Sequence, residues 1–140
     1  MKKILFTLLI ISNLSINAQS VFGKWENWDE EENRVNSVIE IYEKDGLAFG
    51  KIIKITHKDR QGAVCDKCKG ERKNMPILNM TILSGLKKEG NQWIGGTIVD
   101  VKNGKEYKCY ITLENENKLK IRGYFGFVAF GRTAYWCRKK

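Results

Sequence analysis

Four cysteines and one histidine carry most of the chemistry this chain could offer. Cys65 and Cys68 form a Cys-x-x-Cys in a basic, polar stretch, while Cys109 and Cys137 stand apart. Three uses fit such residues: a disulfide staple, thiol redox catalysis and a zinc centre. A catalytic thiol needs acidification by a helix N-terminus or a strong positive neighbour. Lys67 and Lys69 offer charge, but no βαβ pattern surrounds the motif. A structural zinc site needs a second ligand pair, and Cys109 and Cys137 are not spaced as one. His57 is the single histidine. A multi-histidine metal centre is thereby excluded, and a Ser-His-Asp triad would depend on this residue alone. We read His57 as a mobile surface side chain. The run Asp29-Glu30-Glu31-Glu32 lacks the glycine-punctuated loop of a calcium site, and such blocks are usually solvated. Asp100 and Glu106 flank a turn, where Asp serves turn chemistry. No catalytic residue, metal ligand set or cofactor follows from these positions.

The N-terminus fixes the compartment in which those cysteines are read. Lys2 and Lys3 precede an apolar run, Ile4 to Ile11, and a polar stretch leads to Ala18. A positive start, a short apolar core and a small residue at the cut form a secretory signal. The run is about half of the ~20 residues a membrane span takes, so a cleaved signal is preferred to an anchor. Residues 1–18 are therefore assigned to the signal and residues 19–140 to one domain. The protein is expected to be exported, periplasmic or secreted, with no transmembrane segment. In an oxidising compartment an even cysteine count reads as disulfides. A local Cys65–Cys68 bridge is favoured; a Cys109–Cys137 pair stays open. Without Lys2 and Lys3 the formal charge falls from +9 to +7, which is read first as a source of solubility and second as suited to an anionic envelope surface.

Period-2 patterns dominate the remaining chain. Val35 to Glu43 alternates, and Asp45-Gly46 turns it into Leu47 to Thr56 as a hairpin. Gln92 to Asp100 reads as a strand, and Asn103-Gly104 turns it into Glu106 to Glu114. There Tyr107, Cys109, Ile111 and Leu113 share the inward face. Lys118 to Tyr124 and Arg132 to Arg138 complete the set with Val21 to Trp28 at the start; only Ile77 to Leu86 is ambiguous. If Trp136 points in, Cys137 points out and cannot meet Cys109 inside. Seven or eight short strands with tight turns predict an all-β, antiparallel up-and-down barrel. Closure hides the edges, which suits a monomer.

Two further stretches bear on binding. The basic segment Lys54 to Lys73 could be an anion-binding lid, and at that length it is functional or mobile. It has no interleaved aromatics, so nucleic acid is not expected. Trp93, Tyr124, Phe125, Phe127, Phe130, Tyr135 and Trp136 crowd the second half. Rings beside glycines, as in Phe125-Gly126-Phe127, would make an apolar binding rim at a barrel mouth. Trp93, Tyr124, Phe125, Phe127, Phe130 and Trp136 are therefore the candidate ligand contacts.

Several short motifs occur in a shared order. They are Gly23-Lys24-Trp25, Val38-Ile39-Glu40-Ile41-Tyr42, Gly50-Lys51-Ile52, Gly95-Gly96 with Ile98 and Asp100, and Asn103-Gly104-Lys105 with Tyr107. Leu119-Lys120-Ile121-Arg122-Gly123-Tyr124 and Gly131-Arg132-Thr133 with Trp136 and Arg138 follow. In these the chain resembles the bacterial family called domain of unknown function 2147, over nearly all of residues 19–140. The resemblance implies an exported, lipocalin-like (calycin-like) barrel with no established activity. Three places depart from the pattern: Val101 for a proline, Asn79 for a glycine, and Ala134-Tyr135 for a polar Gln-Thr pair. The likeness to lipocalin-like barrels also implies that Arg138 lies over Trp25 and plugs the closed end, a structural role.

The leading expectation is a non-enzymatic binder of a small apolar or amphipathic molecule. A solid barrel that docks on an envelope protein or an anionic surface is the alternative. A thiol redox protein at Cys65 and Cys68 ranks third. A cavity above roughly 300 Å³ separates the first from the second.

Overall fold

In the computed structural model, residues 19–140 are described; the signal read at residues 1–18 lies outside the described residues. Eight antiparallel strands run in sequence order around a closed barrel. They are β1 (Gly23–Asp29), β2 (Arg34–Lys44), β3 (Leu47–Ile55), β4 (Thr81–Glu89), β5 (Gln92–Asp100), β6 (Lys105–Asn115), β7 (Lys118–Tyr124) and β8 (Gly131–Arg138). The last strand returns to the first through Trp25↔Arg138, Glu26↔Cys137 and Asn27↔Trp136. This is the expected architecture, and the ambiguous Ile77 to Leu86 stretch resolves into a connection and β4.

Turn chemistry sets the register. Asp45 and Gly46 both take positive φ (53° and 77°), as a two-residue hairpin with right-twisted strands requires. Within β6 and β7 the inward set is Cys109, Ile111, Leu119 and Ile121, all buried. Their partners in the ladder are Cys109↔Gly123, Ile111↔Ile121 and Leu113↔Leu119.

An up-and-down barrel has two distinct ends. Odd strands run from one end to the other and even strands return, so position along a strand states the end. The starts of β1, β3, β5 and β7 define one end, where Trp25, Ile39, Ile41, Leu86, Ile111 and Leu119 are wholly buried. At the opposite end three inward positions are small: Ser37 on β2, Gly123 on β7 and Ala134 on β8. A barrel of eight strands is just wide enough to be filled by side chains or to hold one small ligand. Wholly buried bulky residues fill one end, the packed half, while at the other, the open half, Ser37, Gly123 and Ala134 leave space between larger neighbours.

The 25-residue connection from β3 to β4 folds over the open end. Contacts within it and with the barrel hold it there. Cys65 and Cys68 are bridged, with Cα atoms 5.3 Å apart. Val64 pairs with Pro76, and Cys65 N–H donates to Met75 O at 2.9 Å and Ile77 N–H to Ala63 O at 3.0 Å. Cys65, Cys68 and Ile77 join the core. The connection rests on the β5–β6 turn, where Gly104 has φ +72°. A Cβ there would fall 1.9 Å from Lys67 O, so only glycine admits this contact.

Candidate functional site

The open half encloses a cavity of about 540 Å³. Its walls are Ile52, Ile82, Ile98, Ile121, Ala134 and Trp136, with Ala63 and Ile77 of the β3–β4 connection as a roof. Trp28 and Tyr107 stand at the rim. Gly123 has no side chain where Ile98 and Tyr107 face it, at 3.5 and 3.6 Å from a notional Cβ. That missing side chain and the small Ala134 both leave room on this wall.

Polar groups gather at the mouth. Arg60, Lys102 and Arg132 line it beside Glu30 and Asp100. Lys102 Nζ reaches Asp29 Oδ2 at 3.9 Å, joining the β5–β6 turn to the β1–β2 turn across the mouth. Asp29 Oδ1 also accepts the N–H groups of Glu31 and Glu32. The Glu32 N–H bond leads in holding its carboxyl below the usual carboxylate range, with Lys102 and the Glu31 N–H assisting against partial desolvation. The acidic run thus caps a turn. Among the described residues Arg60 and Arg132 have no carboxylate partner within 4.0 Å. Asn103 Nδ2 donates to Tyr107 OH at 3.0 Å and fixes that phenol.

The aromatic candidates separate. Trp136 is buried and lines the cavity. Trp93 lies at the other end, edge-on to Phe22 at 5.3 Å. It begins an odd strand, so it starts at the packed end whatever its type. Tyr124 shares the outward register of Lys120 and Arg122. Phe125 tilts against Tyr107 at 4.3 Å between centroids. Phe127 and Phe130 project from the β7–β8 turn into solvent, 75 % and 71 % exposed. Tyr135 faces outward with Lys118 Nζ 4.3 Å from its ring centre.

At the packed end Arg138 lies over Trp25, its guanidinium carbon 4.2 Å from the ring centre. Its nitrogens donate to Ser20 O, Phe22 O and Glu116 O, while Trp25 Nε1 donates to Val21 O. Gly23 (φ +123°) lets this group close, since a Cβ would meet Arg138 Nη1 at 3.2 Å. The plug ties the segment before β1 to the β6–β7 turn, away from the cavity.

The remaining chemical candidates sit outside the cavity. Cys109 is buried and free, and burial pushes its thiol up to about 12. Cys137 is free, exposed and on the opposite face. His57 is not an open surface side chain: its side chain is 9 % exposed, with Nε2 3.3 Å from Glu32 Oε2, because Glu32 of the β1–β2 turn lies against it. Among the described residues no cluster of three or more His, Cys, Asp or Glu could hold a metal ion.

Comparison with known proteins now adds the lineage. Residues 23–138 match the family described as an uncharacterized protein conserved in bacteria, DUF2147. The chain belongs to the DUF2147 family. No curated protein matches it. Among solved structures it is similar to protein HP1028 from the human pathogen Helicobacter pylori, described as belonging to the lipocalin family. That match has a TM-score of 0.76 at 17 % identity and covers 88 % of this chain and 85 % of the other. At that identity it establishes the fold of this DUF2147 protein, a lipocalin-like barrel.

Arg60, Lys102, Arg132 and Ala134 were missed by sequence reasoning as cavity residues. Alternation from Trp136 does place Arg132 and Ala134 on its face, so that part of the signal was present. Ala134 is also a departure from the family pattern, and it makes this wall apolar. Arg60 belongs to the basic segment read as an anion-binding lid, but nothing in the sequence places it, Ala63 or Ile77 at the cavity, because they arrive through a connection without periodicity.

Proposed function

We propose that this DUF2147 protein is an exported, non-enzymatic binder of a small amphipathic molecule. The cavity carries the reading: about 540 Å³ lies within the range of small-molecule sites, ~300–1,000 Å³. Its isoleucine walls favour an apolar tail. Arg60 and Arg132 at the mouth favour an anionic head, which keeps its charge in water while the tail is buried. The residue pattern of 1–18 and the Cys65–Cys68 bridge support an envelope location, where such a bond persists.

The test uses N-phenyl-1-naphthylamine as a fluorescent apolar probe, with dodecanoate and dodecanol as competitors. Enhanced emission is expected, and dodecanoate should displace the probe at lower concentration than dodecanol. Ala134→Trp fills the cavity and should abolish the signal while near-ultraviolet circular dichroism stays native. Arg132→Glu should remove the preference for the acid. A folded wild type that binds no probe, or an Ala134→Trp variant that binds it equally, overturns the reading. N-terminal sequencing of protein from the periplasmic fraction tests export; a chain that retains residues 1–18 there refutes cleavage near Ala18.

A further inference from the structure

The geometry points to a second surface: the β7–β8 turn is a membrane-docking tip that sets the open end of the barrel on an anionic phospholipid bilayer. This surface is separate from the cavity and does not need it occupied.

The first observation is the apolar tip. Phe125, Phe127, Val128 and Phe130 are all exposed on one short turn, although a barrel with a cavity beside them could have taken some inside. Contiguous exposed apolar groups of this kind mark interaction surfaces. The turn is built to hold them out. Phe125 N–H donates to Phe130 O at 3.2 Å, and Phe130 N–H donates to Phe127 O at 2.9 Å. Arg122 crosses beneath and donates to Val128 O at 2.8 Å and to Ala129 O at 3.3 Å, with a further bond to Thr133 Oγ1.

Those bonds bear on how deep the tip can sit. Backbone polar groups that enter the bilayer must be satisfied by the protein itself, because lipid offers no replacement for water. Here the turn and Arg122 satisfy Phe125 N–H, Phe130 N–H and the carbonyls of Phe127, Val128, Ala129 and Phe130, while the N–H groups of Gly126, Phe127, Val128 and Ala129 have no partner among the described residues, so the tip fits the hydrated headgroup interface and not the hydrocarbon core.

The second observation is charge. Beside Phe125 lies a hollow of about 340 Å³ bordered by Lys67, Lys69, Arg72 and Lys105, with Glu106 as its one carboxylate. Arg72 pairs with Glu106 at 3.0 Å. Lys67, Lys69 and Lys105 make no ion pair among the described residues. The Lys67 backbone is held against Gly104 of the β5–β6 turn, and this ledge borders the same hollow as Phe125. Aromatic rings in the interface with lysines behind them match the two attractions of an anionic bilayer, apolar burial and headgroup charge.

The experiment measures co-sedimentation of the processed chain from Gln19, which holds all eight strands, with vesicles. Vesicles of phosphatidylcholine with one-third phosphatidylglycerol are compared with phosphatidylcholine alone. Binding to the anionic vesicles is expected, at least tenfold weaker without phosphatidylglycerol, and falling as sodium chloride is raised. The doubly substituted Phe127→Ser, Phe130→Ser variant should lose at least tenfold, as two withdrawn rings require. The triple variant Lys67→Glu, Lys69→Glu, Lys105→Glu should lose the lipid selectivity. Ala134→Trp should dock unchanged, which separates this surface from the cavity. A wild type that ignores anionic vesicles, or a Phe127→Ser, Phe130→Ser variant that binds them as well, overturns the proposal. So does a wild type that dimerises through the tip in sedimentation velocity instead of binding vesicles.

Discussion

Replacing Arg138 with methionine should destabilise the barrel without touching the cavity. The guanidinium makes three hydrogen bonds to backbone carbonyls and one stacking contact with Trp25. These do not count equally. The bonds to Ser20 O and Glu116 O are exposed, and water can replace them; the bond to Phe22 O is partly buried. A shielded hydrogen bond from a charged donor contributes about 1.5 kcal/mol or more, and a partly desolvated cation over indole about 1 kcal/mol. Methionine keeps much of the apolar stem over Trp25, so packing loss is small. The expected loss is therefore about 2–3 kcal/mol. Urea unfolding followed by tryptophan fluorescence should show a lower midpoint at unchanged slope, and thermal unfolding should fall by roughly 10 °C. Arg138→Lys keeps the charge, but its single ammonium cannot span three carbonyls, so it should recover less than half of the loss. Affinity for the naphthylamine probe should stay within about twofold, since plug and cavity occupy opposite ends. A loss below ~0.5 kcal/mol, or full rescue by lysine, refutes the account of Arg138 as a three-point plug.

Gly104→Ala forces a left-handed residue to carry a Cβ against Lys67 O; about 2–3 kcal/mol should be lost, and hydrogen exchange should rise selectively in residues 58–80. The Cys65→Ser, Cys68→Ser variant removes a four-residue loop closure worth roughly 2 kcal/mol in the chain-entropy view; a matching fall in wild-type stability on adding dithiothreitol checks it. Thiol titration at pH 8 should modify Cys137 alone in the folded protein, because Cys109 is buried with its thiol raised to about 12; two fast thiols would contradict the buried position.

Much of the barrel is written locally. Alternation along Lys105–Asn115 and Lys118–Tyr124, with Asp45-Gly46 marking a tight turn, is enough to give strands, faces and an up-and-down order, because strand period and turn backbone depend on near neighbours. The same alternation already placed Cys109 and Cys137 on opposite faces. What sequence alone mixed was the two ends. Trp93 and Trp136 look equivalent as aromatic strand residues. Yet one starts an odd strand beside Phe22 and the other lies inside the open half.

The positions of the cysteines, one histidine and the basic segment defined at the outset which chemistries were available. Their arrangement was decided by tertiary contacts. The β3–β4 connection has no period to read, and its place is set by the Cys65–Cys68 bridge, by the Val64–Pro76 pairing and by the contact of Lys67 with Gly104. That placement roofs the cavity with Ala63 and Ile77, brings Arg60 to the mouth, and sets Lys67 and Lys69 beside Phe125. The cavity itself is a long-range property: it exists because small residues on separate strands, Gly123 and Ala134, meet at one end of the barrel. Local sequence can encode each small residue, but only closure of the sheet brings their empty spaces together.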